Sequence, residues 1–142
     1  MKKILLMGNP NVGKSVVFSR LTGVGVISSN YPGTTVEFIM GHMKIDDQKI
    51  EVVDVPGTYS LDPTNPAENV ALEMLKGAIG DNDVTVVNIV DATNLERNLN
   101  LTLQLLINVI RVMVVLILWD EARQAGVSNE IFSLEEILGV PV

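Results

Sequence analysis

Short apolar runs alternate with amphipathic segments along the whole chain. The apolar runs are rich in Val, Ile and Leu, which is typical of buried strands, and the segments between them repeat apolar residues at helical spacing. The predicted strands are Lys2–Met7, Val36–Ile45, Lys49–Asp54, Val84–Val90 and Val112–Leu118. The predicted helices are Lys14–Thr22, one opened by Asn65-Pro66-Ala67-Glu68 and ending near Lys76, one capped by Thr93-Asn94-Leu95-Glu96 and ending near Asn108, and a last short one capped by Ser133-Leu134-Glu135-Glu136.

The order of these elements predicts a three-layer α/β domain. Helices between successive strands give a mostly parallel sheet that is covered on both faces. The strand Val36–Ile45 is the exception, because the turn Asp46-Asp47-Gln48 joins it to Lys49–Asp54 as an antiparallel pair. Two segments rich in Gly, Ser, Asn and Pro, Gly23–Thr35 and Pro56–Pro66, are predicted to be loops. At 142 residues, the chain is expected to be a single domain.

The segment Leu101–Trp119 is hydropathic and nearly long enough to span a bilayer. It contains Gln104, Asn108 and Arg111, however, and its pattern changes midway from helical spacing to a continuous β-branched run. A helix followed by a buried strand therefore explains this segment better than a membrane span.

Composition excludes several classes of function. The formal net charge of −7 argues against a nucleic-acid surface, which needs clustered basic residues. The chain contains no cysteine, which excludes disulfides and thiolate metal sites within it. Only four apolar residues precede Gly8, too few for a signal peptide, so a cytoplasmic location is expected.

The segment Gly8–Ser15, Gly-Asn-Pro-Asn-Val-Gly-Lys-Ser, fits the pattern of a phosphate loop between a strand and a helix. Backbone N–H groups of such a loop, at the positive end of a helix, form an anion site. Lys14 adds a charge for the β- and γ-phosphates, and Ser15 offers a hydroxyl to Mg²⁺. The predicted nucleotide-binding residues of this region are Asn9, Pro10, Asn11, Val12, Gly13, Lys14, Ser15 and Val16.

A second motif, Asp54-Val55-Pro56-Gly57, leaves a predicted strand forty residues after Lys14. Asp54 can hold Mg²⁺ through its water shell, and the Gly57 N–H can reach the γ-phosphate. The loop between the two motifs ends in Thr34-Thr35, and a threonine there could bind Mg²⁺ only when the γ-phosphate is present. Lys14 and Gly57 are therefore predicted catalytic residues, and Ser15, Asp54 and one of these threonines are the predicted Mg²⁺ ligands.

Four segments, Gly8–Ser15, Asn30–Glu37, Val53–Leu61 and Val90–Leu99, together resemble the N-terminal G domain of the ferrous-iron transport protein FeoB. The resemblance covers nearly the whole chain. It implies a Ras-like P-loop GTPase fold and a slow, Mg²⁺-dependent GTPase linked to iron uptake, as part of a membrane transporter, at the cytosolic face of the inner membrane. It also implies that Thr35 is the threonine that binds Mg²⁺ and acts in catalysis, and that Asn11 helps to place K⁺ beside the phosphates.

The sequence departs from this family at two side chains. Thr58 follows Gly57 where Ras-like enzymes carry a water-orienting glutamine, so hydrolysis is expected to be slow. Ile117 stands where the family's Asn-x-x-Asp motif has its asparagine, which leaves Asp120 to bind the guanine edge alone. Base specificity is therefore expected to be impaired. A nucleotide-sensing or weakly binding module with little GTPase activity remains the alternative.

The chain ends at Val142, where the family continues into a last strand, a Ser-Ala loop, a helix, a helical domain and a membrane domain. The expectation is a G domain over 1–142 that lacks the last strand–helix unit. The strand Val112–Leu118 would then be an apolar sheet edge. We predict that the chain forms a homodimer through this edge or by exchanging C-terminal elements.

Overall fold

The sheet and helices follow from a computed structural model that describes residues 2–23, 25–108, 111–124 and 131–142. In chain order the elements are β1 (Lys3–Gly8), α1 (Lys14–Leu21), β2 (Ile27–Asn30), β3 (Glu37–Ile45), β4 (Gln48–Asp54), α2 (Pro66–Ala78), β5 (Val84–Asp91), α3 (Leu95–Asn108), β6 (Val112–Ile117), α4 (Trp119–Gln124) and α5 (Ile131–Leu138).

Six strands form one sheet in the order β2-β3-β4-β1-β5-β6. The pairs β4–β1, β1–β5 and β5–β6 are parallel, and β3 runs antiparallel to both of its neighbours. The predicted mixed sheet is therefore confirmed. Because the carboxyl ends of β1, β4, β5 and β6 meet at one edge, the loops that follow these strands are brought together there.

Both faces of the sheet carry a buried core. Below α2 and α3 the core contains Leu5, Met7, Val86, Leu101 and their neighbours. On the opposite face α1 covers a smaller core around Leu6, Phe18, Val52 and Ile89. The α1 face also contains an open groove of about 470 Å³, whose lining is mostly apolar: Ile4, Val17, Leu21, Met43, Val87 and Val115 are among its residues.

The segment Gly23–Thr35 is not wholly a loop, and that prediction was wrong. Its residues Ile27–Asn30 form β2, which pairs with β3 from the Ile27–Met40 pair to the Asn30–Glu37 pair. All four residues of β2 are exposed. Since backbone bonds to β3 hold the strand and burial does not, it left no hydrophobic pattern in the sequence.

Two predicted helix caps were also wrong. Helix α5 begins at Ile131, so Ser133 lies inside it and not at its start. Before α3, the hydroxyl and N–H of Thr93 donate to Asp91 Oδ1 at 2.5 and 2.8 Å, within the turn that leaves β5. The short helix α4 was not predicted at all. By contrast, Asn65 caps α2 as predicted, since its Oδ1 accepts from the Glu68 N–H at 2.8 Å.

The segment Leu101–Trp119 divides into the end of α3, the strand β6 and the start of α4. Within the described ranges, none of the helices combines the length and the apolar character that crossing a membrane requires. The interpretation as a helix followed by a strand is confirmed.

The C-terminal residues partly cover the edge of β6. The Pro141 carbonyl accepts from the Val114 N–H at 2.8 Å, and Val140 packs against the core below α2 and α3. The edge that was expected to be open is therefore paired at one position, and self-association through it stays a prediction.

Candidate functional site

The phosphate loop connects β1 to α1 through two left-handed residues. Asn11 has φ 62°, and Gly13 has φ 96° at the N-cap of α1. Gly8 is packed so closely that an added Cβ would lie 2.8 Å from the Ile89 carbonyl oxygen. This backbone places the loop at the amino end of α1, where the unpaired N–H groups of the first turn favour an anion.

The side chains of the phosphate loop differ in exposure. Asn9 and Val12 are buried, at 3% and 7% exposed. Asn11, Ser15 and Val16 are exposed to solvent. The polar groups predicted to meet a metal ion or phosphates, Ser15 and Asn11, are thus on the accessible side of the loop.

Lys14 and Asp54 form an ion pair through Nζ and Oδ1. Their side chains are only 11% and 8% exposed, so this pair is largely shielded from water. Asp54, at the end of β4, is therefore brought to the phosphate loop as the sequence predicted, whereas the ion pair with Lys14 at the start of α1 was not predicted. A buried pair depends on both partners, because removing one leaves an uncompensated charge.

The segment Gly57–Asn65, here called the Gly57 loop, is docked on the phosphate loop. A Cβ added to Gly57 would lie 2.8 Å from Pro10 Cα, so only glycine allows this approach. The next N–H, that of Thr58, donates to the Gly8 carbonyl at 3.0 Å. Gly57 therefore lies beside the site at which the phosphate loop would hold phosphates.

Glu68 organises the Gly57 loop from below. Its carboxylate is buried, and Oε2 accepts from the Tyr59 N–H at 3.0 Å. Oε1 accepts from the Thr64 N–H at 3.0 Å and from the Thr64 hydroxyl at 2.6 Å. The Thr58 hydroxyl also lies 3.0 Å from Oε2 and 2.6 Å from the Ser60 carbonyl.

These contacts perturb the carboxyl group. The hydroxyl of Thr64, and then the N–H groups of Tyr59 and Thr64, lower the pKa of Glu68 from 4.5 to about 2, although burial opposes the shift. The sequence indicated Glu68 only as part of a helix cap. Nothing in its spacing indicated that the carboxylate binds the preceding loop.

Thr35 is exposed in the turn between β2 and β3. Its neighbour Thr34 fixes that turn, since the Thr34 hydroxyl donates to the Tyr31 carbonyl at 2.9 Å and accepts from the Val36 N–H at 3.1 Å. The proposed role of Thr35 as a metal ligand therefore stays a prediction.

The end of β6 forms a further wall beside the phosphate loop. Ile117 is half-buried, and its Cδ1 would lie 3.1 Å from a Cβ added to Gly13. Leu118 then takes a left-handed φ of 57°, and Asp120 is exposed in the first turn of α4. An apolar side chain, and not an amide, thus occupies this wall, as Ile117 in the sequence indicated.

Asn9 joins the phosphate loop to α3. Its Nδ2 donates to the Arg97 carbonyl at 3.5 Å, a long hydrogen bond. Its Oδ1 is buried and has no hydrogen-bond partner among the described residues. A buried acceptor without a partner is unusual in a folded protein, and it marks this position as a polar contact point.

A family model described as "Ferrous iron transport protein B" matches residues 2–142. A Porphyromonas gingivalis Fe(2+) transport protein A/Fe(2+) transporter FeoB fusion protein is 40% identical over 140 residues, which are 99% of this chain and 16% of that protein. The chain spans between 15% and 19% of the length of the curated relatives.

Solved structures of the same kind are similar throughout the chain. The G domain of the Thermotoga maritima FeoB iron transporter is 36% identical with a TM-score of 0.90, over 100% of this chain and 85% of that one. A mutant of S. thermophilus NFeoB bound to GDP is 40% identical with a TM-score of 0.89, over 100% of this chain and 54% of that one.

Proposed function

This chain belongs to the family of ferrous iron transport protein B, and on that premise we propose that it is a GTP-binding switch domain with slow, Mg²⁺-dependent GTPase activity. The observation that carries the proposal is that Asp54 and Gly57 both meet the phosphate loop, Asp54 through Lys14 and Gly57 through Pro10. A relative of similar fold binds GDP. Over 1–142 the chain would then act as one G domain.

The phosphates would be held by the backbone N–H groups of Asn9–Ser15 and by the Lys14 ammonium. Lys14 would exchange its partner Asp54 for the phosphate oxygens, and the Asp54 carboxylate would become free to hold a cation. A carboxylate at Asp54 and a hydroxyl at Ser15 are oxygen ligands of the kind that Mg²⁺ prefers, so these residues fit the ion. When bound, Mg²⁺ neutralises charge on the β- and γ-phosphate oxygens.

Residues of the two loops would act on the γ-phosphate. The Gly57 N–H would donate to it, and Thr35 would turn inward to the metal ion. Asn11, whose amide is exposed on the phosphate loop, is the residue that we assign to K⁺. Each contact would stabilise charge that develops in the transition state.

Slow hydrolysis is supported by the environment of Thr58. This residue occupies the position after Gly57, is 1% exposed, and directs its hydroxyl to Ser60 and Glu68. A side chain held in this way has no reach toward an attacking water. Hydrolysis would then depend on backbone positioning and on the cations.

Base recognition would depend on Asp120, which can accept from the N1 and N2 hydrogens of guanine. Ile117 offers no hydrogen bond to the base. Loss of such a contact typically costs about 1–3 kcal/mol. This observation favours a second candidate function, a nucleotide sensor with relaxed base specificity and little turnover.

The wider role follows the family. We propose that the domain works at the cytosolic face of a membrane as part of a ferrous iron transporter and passes its nucleotide state to that partner. The support is the match to FeoB proteins over the whole chain.

Calorimetric titration tests the proposal. Nucleotide-free protein is titrated with GDP, a non-hydrolysable GTP analogue and the ATP counterpart, in Mg²⁺ with either K⁺ or Na⁺. We expect micromolar guanine-nucleotide binding and weaker adenine-nucleotide binding. Equal binding of both bases would favour the sensor with relaxed specificity. No binding of either, with Lys14→Met giving the same flat trace, would overturn both candidate functions.

A further inference from the structure

Helix α3 is fixed to the sheet by buried polar groups. Asn88 of β5 donates to the Met7 carbonyl at 3.3 Å and accepts from the Thr102 hydroxyl. Asn98 accepts from the Asp91 N–H at 3.2 Å. The three residues whose side chains make these bonds, Asn88, Asn98 and Thr102, are each at most 4% exposed. Such satisfied buried bonds specify one register, so α3 is a rigid platform at the edge of the site.

A second face of α3 holds the Gly57 loop. The Arg97 guanidinium lies 4.5 Å from the centre of the Tyr59 ring, within cation–π range. Asn100 Nδ2 donates to the Tyr59 carbonyl at 3.4 Å, and Gln104 Oε1 accepts from the Leu61 N–H. These three helix residues lie at i, i+3 and i+7, so they form one stripe along α3.

The same helix touches the phosphate loop. The Arg97 carbonyl accepts from Asn9, and the Gly57 loop itself is bonded to Gly8 through the Thr58 N–H. The phosphate loop, the Gly57 loop and α3 therefore contact one another in pairs. The stripe on α3 therefore contacts Tyr59, two residues after Gly57, whose N–H would meet the γ-phosphate.

We propose that Arg97, Asn100 and Gln104 form a latch that positions the Gly57 loop for hydrolysis of the bound nucleotide. The inference rests on the proposed function and adds to it the residues that control the loop. They are positioning residues, since they act through Tyr59 and Leu61 and do not touch the nucleotide. The latch would support the docking of Gly57 against Pro10, which the Thr58 N–H bond to Gly8 and the Glu68 carboxylate also hold.

The contacts suit a latch that opens. Tyr59 is 40% exposed, so its ring is not held by burial in the core. The Asn100 bond is exposed and the Gln104 bond is only partly buried, so water can replace both at modest cost. Leaving α3 also withdraws the partly buried Leu61 from the core, but it does not unfold the helix, whose own anchors are buried on another face.

Hydrogen exchange at the Leu61 amide reports on the latch without nucleotide. Gln104→Leu removes the acceptor at nearly constant size, and we expect this amide to exchange at least about fivefold faster, as loss of one ordinary hydrogen bond predicts. Gln104→Glu keeps an acceptor oxygen and should retain the slow exchange. Leu103→Ala, at an exposed neighbour on α3, is the matched control. Unchanged exchange in Gln104→Leu would overturn the latch.

Hydrolysis then tests the positioning role. Gln104→Leu should lower kcat for GTP by about tenfold to a hundredfold, since misplacing a catalytic group by 1 Å can cost about 10²-fold, and it should change GDP affinity by less than about twofold. Gln104→Glu should restore kcat. An unchanged kcat in Gln104→Leu, with the wild-type protein active, would refute positioning. If the wild-type protein neither binds nor hydrolyses nucleotide, the proposed function and the positioning role both fail. Hydrogen exchange at the Leu61 amide then decides by itself whether α3 holds the Gly57 loop.

Discussion

Replacing Glu68 with glutamine removes the charge of this side chain and keeps its size. In the structure both carboxylate oxygens accept hydrogen bonds, from the Tyr59 N–H on one side and from the N–H and hydroxyl of Thr64 on the other. Glutamine keeps one acceptor oxygen and turns an NH₂ group toward the remaining donors. Since hydrogen bonds to charged groups contribute about 1.5–3 kcal/mol each, we expect Glu68→Gln to lower the free energy of unfolding by about 2–4 kcal/mol at pH 7.

The pH dependence of that loss identifies its cause. The folded pKa of Glu68 is about 2, below its ordinary value of 4.5, so folding favours the ionised form. The stabilisation is therefore complete above pH 4.5 and disappears as the pH falls from 4.5 toward 2. The difference in unfolding free energy between wild type and Glu68→Gln should be constant from pH 7 to pH 5 and should shrink steadily below it.

Urea unfolding followed by circular dichroism at pH 7, 5, 4 and 3 measures this difference, and other carboxylates cancel in it. Glu73→Gln on the same helix is the control. Glu73 is 58% exposed and lies 3.8 Å from Lys76, so its replacement should change stability by less than about 0.5 kcal/mol. A Glu68→Gln loss below that value, or one that does not vary with pH, would refute the assignment of stability to these charged hydrogen bonds.

Ile117→Asn should increase the preference for GDP over ADP about tenfold in calorimetric titration, since one base contact is typically worth about 1–3 kcal/mol. An unchanged ratio of the GDP and ADP affinities would show that this wall does not face the base. Lys14→Met should abolish nucleotide binding and destabilise the fold, and the double variant with Asp54→Asn should regain stability but not binding. Thermal melts of the single and double variants should give a coupling energy of about 0.5–3 kcal/mol between the two residues, and strictly additive effects would contradict a coupled pair. Gly57→Ala should cost about 1–3 kcal/mol by overpacking against Pro10, and a wild-type melting temperature would contradict the close approach.

Much of the fold could be predicted because its determinants are local. The phosphate loop is a continuous segment between a strand and a helix, and Gly8 and Gly13 are required by the backbone that it forms. The approach of Asp54 to the phosphate loop followed from parallel strands that end at one edge of the sheet. These features need only the order of the elements and the side chains at their ends.

The remaining features depend on contacts that carry no sequence period. Ile27–Asn30 is exposed on every residue, so its pairing with β3 could not be read from apolar spacing. Glu68 satisfies a rule for helix caps, and the same pattern would arise without any bond to Tyr59. The contact of Gln104 with Leu61 joins residues 43 apart and depends on how α3 is oriented on the sheet. Three-dimensional placement was needed for each of them.

The exposure of β2 has a consequence for the way in which a change at the nucleotide would travel. Because all four of its residues are exposed, with Ile27 at 55%, lifting β2 off the sheet would uncover little apolar surface and would cost mainly its backbone bonds to β3. The edge strand β2 can therefore separate from β3 while the core stays packed. Movement of Thr35 toward the phosphates would pull on the carboxyl end of β2 and can break its pairing as far as Ile27, at the opposite end of the strand.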